Sequence, residues 1–143
     1  MIRWGGGGTF PRMDHSRPIT PTIHVLEDDS AVRDSLMLLL RNMGHEVVCY
    51  SDGESFLSLA RPRPGDDVIV DLKLPGISGA EVITALLQLD QPPRIIAMTG
   101  QGATAIRNEL RGINVSHVLR KPLNAEQLAA CLGSVGLPCA PSD

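Results

Sequence analysis

Five short apolar runs punctuate this sequence, and each is followed by a stretch with helical spacing. Residues 22–26, 46–50, 68–71, 94–98 and 117–119 read as strands, because short apolar runs rich in β-branched residues and bounded by turn residues fit strands buried in a sheet. Between them, Val32, Leu36, Leu39, Leu40 and Met43 recur at i, i+4, i+7, i+8 and i+11, which is one stripe of a helix closed by Gly44. Ser51-x-x-Glu54 has the pattern of a capping box opening a short helix through Phe56, Leu57 and Leu59. Val82, Ile83, Leu86 and Leu87 mark a third helix, stopped by Pro92 and Pro93. A weaker helix covers residues 103–111, with Gly112 or Asn114 in the left-handed position after it. Ala125, Leu128, Ala129 and Leu132 mark the last. Strands alternating with helices in this way imply an α/β fold, (βα)5: one parallel sheet with right-handed crossovers and helices on both faces.

The totals agree with one such domain. A chain of 143 residues can build a real core, and 43% hydrophobic content with no long apolar run is globular, without a membrane span. Only four aromatics are present, two of them (Trp4 and Phe10) near the start, so the core is expected to be aliphatic. A net charge of -3 gives no general pull toward nucleic acid or anionic lipid. Cys49, Cys131 and Cys139 are odd in number and lack metal-ligand spacing, so they read as reduced thiols. With no apolar secretory segment after Met1, the expected location is cytoplasmic. The four glycines Gly5 to Gly8 with Pro11, Pro18 and Pro21 read as a flexible tail over residues 1–21, not as a phosphate-cradling loop, since no strand precedes them and no Lys-Ser/Thr follows. Residues 133–143 read as a second loose end.

Chemically useful residues collect where the strands stop. Strand one ends at Glu27 and Asp28, strand three at Asp71, strand four at Thr99 and strand five at Lys121. In a parallel sheet these ends share one edge, and ligands bind in the crevice there. A helix cap explains one acid of Glu27, Asp28 and Asp29, but not three. Clustered carboxylates repel unless a cation intervenes or a pKa rises. Hard oxygen ligands suit Mg²⁺, which takes one or two carboxylates and a phosphate and keeps several waters. With that charge offset, one oxygen of Asp71 is free to attack phosphorus, as carboxylates do when they form aspartyl phosphates. Lys121 and Thr99 then supply a cation and a hydroxyl for the equatorial oxygens of the phosphoryl group. His24, inside strand one, reads as a half-buried strand residue rather than a ligand.

Four fragments in register carry a family resemblance: Val25-Leu26-Glu27-Asp28-Asp29, Val70-Asp71-Leu72-Lys73-Leu74-Pro75-Gly76-Ile77-Ser78-Gly79, Met98-Thr99-Gly100 and Arg120-Lys121-Pro122. Over residues 22–132 the chain resembles the receiver domain of two-component response regulators, in flavour those of the nitrogen-fixation and LuxR-type regulators. The resemblance implies a flavodoxin-like doubly wound sheet of order 2-1-3-4-5. It implies that Asp71 takes phosphate from a histidine kinase or phosphotransfer protein. Glu27, Asp28, Asp71 and the backbone carbonyl of Lys73 would hold Mg²⁺, Thr99 would move to the phosphoryl group, and Lys121 would bridge it. Lys73 and Gln101 would tune phosphate lifetime, and the Lys121–Pro122 bond would be cis. Three positions depart from the family pattern. Glu27 replaces the more usual Asp, Leu74 a common Met, and Val118 the aromatic that reports phosphorylation, with His117 beside it on the opposite face. Signalling is therefore expected to run through the loop after Thr99 and the helix that follows.

Such a domain catalyses only its own phosphorylation and dephosphorylation. Since no DNA-binding segment follows Leu132, output is expected through a protein partner, a homodimer or a downstream domain, with no direct contact to nucleic acid. Two other readings compete. A Mg²⁺-dependent phosphatase with an aspartyl-phosphate intermediate would commonly carry a second Asp two residues after the nucleophile, where this chain has Lys73. A phosphorylation-independent pseudo-receiver would not need the intact acid set and Lys121.

Overall fold

A computed structural model describes residues 20–132 of the chain. The order of elements is β1 (Thr22–Leu26), α1 (Ser30–Asn42), β2 (Glu46–Tyr50), α2 (Gly53–Leu59), β3 (Asp67–Asp71), α3 (Gly79–Leu87), β4 (Arg94–Thr99), α4 (Ala103–Glu109), β5 (His117–Arg120) and α5 (Ala125–Leu132). All four strand pairings are parallel, and the sheet runs β2-β1-β3-β4-β5. This is the flavodoxin-like doubly wound arrangement implied above. The tails read over 1–21 and 133–143 lie outside the described residues except for Thr20 and Pro21, as does Cys139.

Alternation along each strand divides the apolar side chains between two layers. Ile23, Val25, Ile69, Ile96, Met98 and Leu119 face α1 and α5, where Leu36, Leu40, Leu128 and Cys131 meet them. Leu26, Val68, Val70, Ile95 and Ala97 face the other way, toward Phe56 and Leu57 of α2 and Val82, Ile83 and Leu86 of α3. The central strands are buried on both faces, which is why they read as unbroken apolar runs. As expected, the core is aliphatic; its aromatic content is Phe56, edge-on to Tyr50 with centroids 5.2 Å apart.

The helix ends follow capping chemistry, with one displacement. Asp29 caps α1, accepting from the amides of Ala31 and Val32 at 2.9 and 3.1 Å. Ser78 caps α3 through Glu81 N. α2 is capped by Asp52, whose carboxylate accepts from Ser55 N, and not by the Ser51–Glu54 box; Ser51 donates to Asp52 instead. The charged Asp52 carboxylate sits one residue closer to the free amides and takes the position. Leu59, the last residue of α2, is 72% exposed. Leu87 likewise lies on the rim of its stripe, at 39%. In α5 the buried face is Leu128 and Cys131, while Ala125 and Ala129 are exposed, because the small alanines can face water at little cost. Gly44 and Gly112 take positive φ after α1 and α4; Asn114 does not.

One glycine is required by the site itself. A Cβ on Gly79 would collide with the Asp71 carbonyl oxygen and the Leu72 Cα, so the start of α3 lies directly against the end of β3. Gly79 N donates to Leu72 O across that contact.

Candidate functional site

The carboxyl ends of β1, β3, β4 and β5 converge. Glu27 and Asp28 follow β1, Asp71 ends β3, Thr99 ends β4, and Lys121 follows β5. Register holds the last three adjacent: Asp71 pairs with Met98, Thr99 pairs with Arg120, and Lys121 N donates to Thr99 O at 2.8 Å. Glu27, Asp71 and Thr99 are buried, whereas Asp28 is exposed at the mouth.

Lys121 is the hub. Its Nζ lies 2.8 Å from Asp71 Oδ2 and 2.8 Å from Glu27 Oε2. The other Asp71 oxygen, Oδ1, accepts from Lys73 N at 3.0 Å. Glu27 Oε1 accepts from Asp29 N at 3.2 Å. Burial pushes the Glu27 carboxyl above the usual range and Asp71 adds to this, against the opposing pull of Lys121. Burial also disfavours the Lys121 charge, but the carboxylates of Asp71 and Glu27 outweigh it and hold the ammonium above its ordinary value. The ammonium therefore stays charged while it offsets two buried acids.

Glu27, Asp28 and Asp71 each offer a carboxylate oxygen, all within 4.8 Å of one another. Three hard oxygens around one point are a donor set that fits a divalent cation. Asp29, the remaining acid, is spent on capping, so the loop after β1 divides its acids between helix and site.

The other expected residues fall around this centre. The Thr99 hydroxyl accepts from Gln101 N at 3.0 Å. The end of the Gln101 side chain lies between Lys73 Nζ and Glu109 Oε1; with its amide oxygen assigned toward Lys73 and its nitrogen toward Glu109, the orientation that satisfies both, it accepts from the first at 3.1 Å and donates to the second at 2.9 Å. Lys73 and Gln101 are thus in contact. Val118 stands apart, 38% exposed on β5, with alternation placing His117 on the face of Leu119. The Lys121–Pro122 bond is cis. His24 is not half-buried but buried, and it bonds Asp66 at the opposite edge of the sheet, 3.1 Å away; it takes no part in the site.

Two participants were not foreseen. Arg33 of α1 donates to the carbonyls of Glu27 at 2.9 Å and Asp28 at 3.4 Å, fixing the loop that carries both acids. Glu109 of α4 reaches Gln101. Each is a charge set against its helix dipole, a cation near an N-terminus and an anion at a C-terminus, and that mismatch is the signal that points to another partner.

A (βα)5 sheet with an acidic trio, a hydroxyl and an ammonium on its carboxyl edge defines a receiver. Residues 23–132 match the family described as the response regulator receiver domain, and the chain belongs to that family. It is therefore a receiver domain of the two-component type, a signalling domain. It is 32% identical over 120 residues to the transcriptional regulatory protein FixJ of Azorhizobium caulinodans, covering 83% of this chain and 57% of that protein. It is 32% identical over 111 residues to the tetrathionate response regulatory protein TtrR of Salmonella typhimurium, covering 78% and 54%. The chain spans little more than half the length of these curated relatives. The fold is also that of the chemotaxis response regulator CheY4 of Vibrio cholerae, with a TM-score of 0.69, 24% identity, and 78% of this chain and 95% of that one covered. No helix among the described residues is long and apolar enough to cross a membrane.

Proposed function

We propose that Asp71 accepts a phosphoryl group from the phosphohistidine of a sensor kinase or phosphotransfer protein, and that this modification switches the chain's contact with a protein partner. The supporting observation is the way Asp71 is held: Lys121 on one oxygen, the Lys73 amide on the other, and Glu27 and Asp28 beside it. In the transfer, an Asp71 oxygen bonds to phosphorus while the P–N bond to the donor imidazole breaks, its electron pair remaining on that ring. Lys121 pairs with the phosphoryl charge, and the Thr99 hydroxyl donates to an equatorial oxygen. The Lys73 amide keeps the carboxylate aimed. Glu27, Asp28, Asp71 and the Lys73 carbonyl would hold Mg²⁺, which when bound offsets the repulsion between the acids and the incoming phosphate. The free thiols Cys49 and Cys131 suit the reducing cytoplasm. Output passes to a protein partner, to a second copy of the chain or to a further domain. FixJ and TtrR, which are longer and regulatory by name, favour the last of these.

Acetyl phosphate with Mg²⁺ is expected to add one phosphoryl group by intact mass, and Asp71→Asn to abolish it. An unmodified wild type would overturn the reading. Steady turnover of small phosphoesters would replace it with a phosphatase.

A further inference from the structure

Asp71 and Thr99 are each held by a backbone amide two residues further on. Lys73 N donates to Asp71 Oδ1 and Gln101 N donates to Thr99 Oγ1, both at 3.0 Å. The side chains of those same two residues meet: with the Gln101 amide assigned in the orientation its neighbours require, Lys73 Nζ donates to its oxygen at 3.1 Å and Glu109 Oε1 accepts from its nitrogen at 2.9 Å. One continuous chain of polar contacts thus runs from the reacting carboxylate, through the loops after β3 and β4, to the last residue of α4. Lys73 and Glu109 also line a cleft of about 540 Å³ that has Asp28 on its wall, so both ends of the bridge border an opening beside one of the site's acids.

Among the described residues, Gln101 is the polar partner that accounts for the position of Glu109. At the C-terminal end of α4 its charge opposes the helix dipole, yet it is half-buried against Gln101. A Gln amide has two different ends, an acceptor and a donor. With an ammonium on one end and a carboxylate on the other, only one orientation satisfies both. Lys73 and Glu109 thus favour the same orientation, and Glu109 anchors the donor end of the amide whose acceptor end meets the Lys73 ammonium.

We propose that Glu109 is a positioning residue for hydrolysis of phospho-Asp71: by orienting Gln101 it keeps the Lys73–Gln101 bridge closed across the cleft and limits water's access to phosphorus. The proposal rests on Asp71 being the phosphoacceptor. In the step it governs, a water oxygen bonds to phosphorus and the P–O bond to Asp71 breaks. The electron pair stays on the carboxylate, and both water protons leave with inorganic phosphate. Without Glu109 the donor end of the Gln101 amide loses its anchor, the bridge loosens, and the two loops lose their tie to α4.

The test uses the full chain, phosphorylated with acetyl phosphate and Mg²⁺, freed of the donor, and followed by intact mass. Glu109→Ala is expected to lose its phosphoryl group about threefold to tenfold faster than wild type, the range for a coupled side-chain network. Glu109→Gln, which retains an acceptor oxygen, is expected to recover most of the lifetime. In a Lys73→Ala background, Glu109→Ala is expected to add nothing, which a general loosening of α4 would not produce. Decay at the wild-type rate or slower, an undiminished effect in the Lys73→Ala background, or no recovery with Gln would each overturn the proposal. Failure of the wild type to accept phosphate at all would overturn the assignment of Asp71 as well, so the two failures are distinguishable.

Discussion

Lys121 holds two acids with one charge, and this puts it in competition with any metal ion. Its Nζ touches Asp71 and Glu27 at 2.8 Å each, and those carboxylates are also two of the three donors that fit a cation. Removing the ammonium leaves buried carboxylates uncompensated, which costs about 3–5 kcal/mol when no ion replaces it. Lys121→Ala is thus expected to melt well below wild type in EDTA. It is expected to recover more stability than wild type on Mg²⁺ addition, and to accept phosphate from acetyl phosphate more slowly. Thermal scans with and without Mg²⁺ check the first two outcomes, and intact mass the third. At this scale the chemistry was legible because it sat at strand ends: Glu27, Asp28, Asp71, Thr99 and Lys121 could be assigned to one edge from the strand pattern alone. Arg33 and Glu109 were not legible in the same way. Their partners are backbone carbonyls five and six positions away and a glutamine eight positions away, contacts that depend on how a loop folds back on its helix.

At the scale of elements, the junction between β3 and α3 is the tightest point near the site. Gly79 packs its bare Cα against the Asp71 carbonyl and Leu72. A methyl group there must displace backbone, and overpacking of this kind costs about 1–3 kcal/mol. Gly79→Ala is expected to lower the unfolding free energy by that amount, read from urea denaturation as a lower midpoint at unchanged slope. Because the displaced segment carries Asp71, it is also expected to slow phosphorylation, whereas an equally destabilising change in α5, such as Leu128→Ala, is not. The elements themselves were legible wherever periodicity was strong, and all five strands and five helices lie where the pattern put them. What periodicity could not resolve were choices decided by a few tenths of a helical turn. These include Asp52 over Ser51 as the cap of α2, Leu59 and Leu87 rotated toward water, and Cys131 buried in place of Ala129. In each case neighbouring residues were both plausible, and contacts from another element made the choice.

Across the whole molecule, the sheet has two rims with different tasks. The rim opposite the site is tied by Asp66, just before β3. Its carboxylate accepts from Thr22 N at 3.0 Å and Arg63 N at 2.9 Å, and lies 3.1 Å from His24 Nε2. Beside it, Arg94 and Asp67 form a two-pronged pair across β4 and β3. Burial opposes ionisation of Asp66, but the bonds from Thr22, Arg63 and His24 outweigh it and hold the carboxyl below the ordinary aspartate value. A depressed folded-state value contributes stability that is complete above the unfolded value of about 3.9 and is lost as pH falls through the folded value. Asp66→Asn is therefore expected to cost about 1.5–3 kcal/mol at pH 7, typical of hydrogen bonds to a charged group. That deficit is expected to shrink toward zero in the acid range below the unfolded value, as shown by urea unfolding of both proteins across pH. Asp66→Asn is expected to accept phosphate as wild type does at neutral pH. The separation has an evolutionary consequence. A lineage moving into hotter or more acidic surroundings can rework the knot around Asp66 and the Arg94 clasp, hardening the scaffold. The acidic site, and with it the proposed phosphate clock, lies a full strand length away and is left untouched.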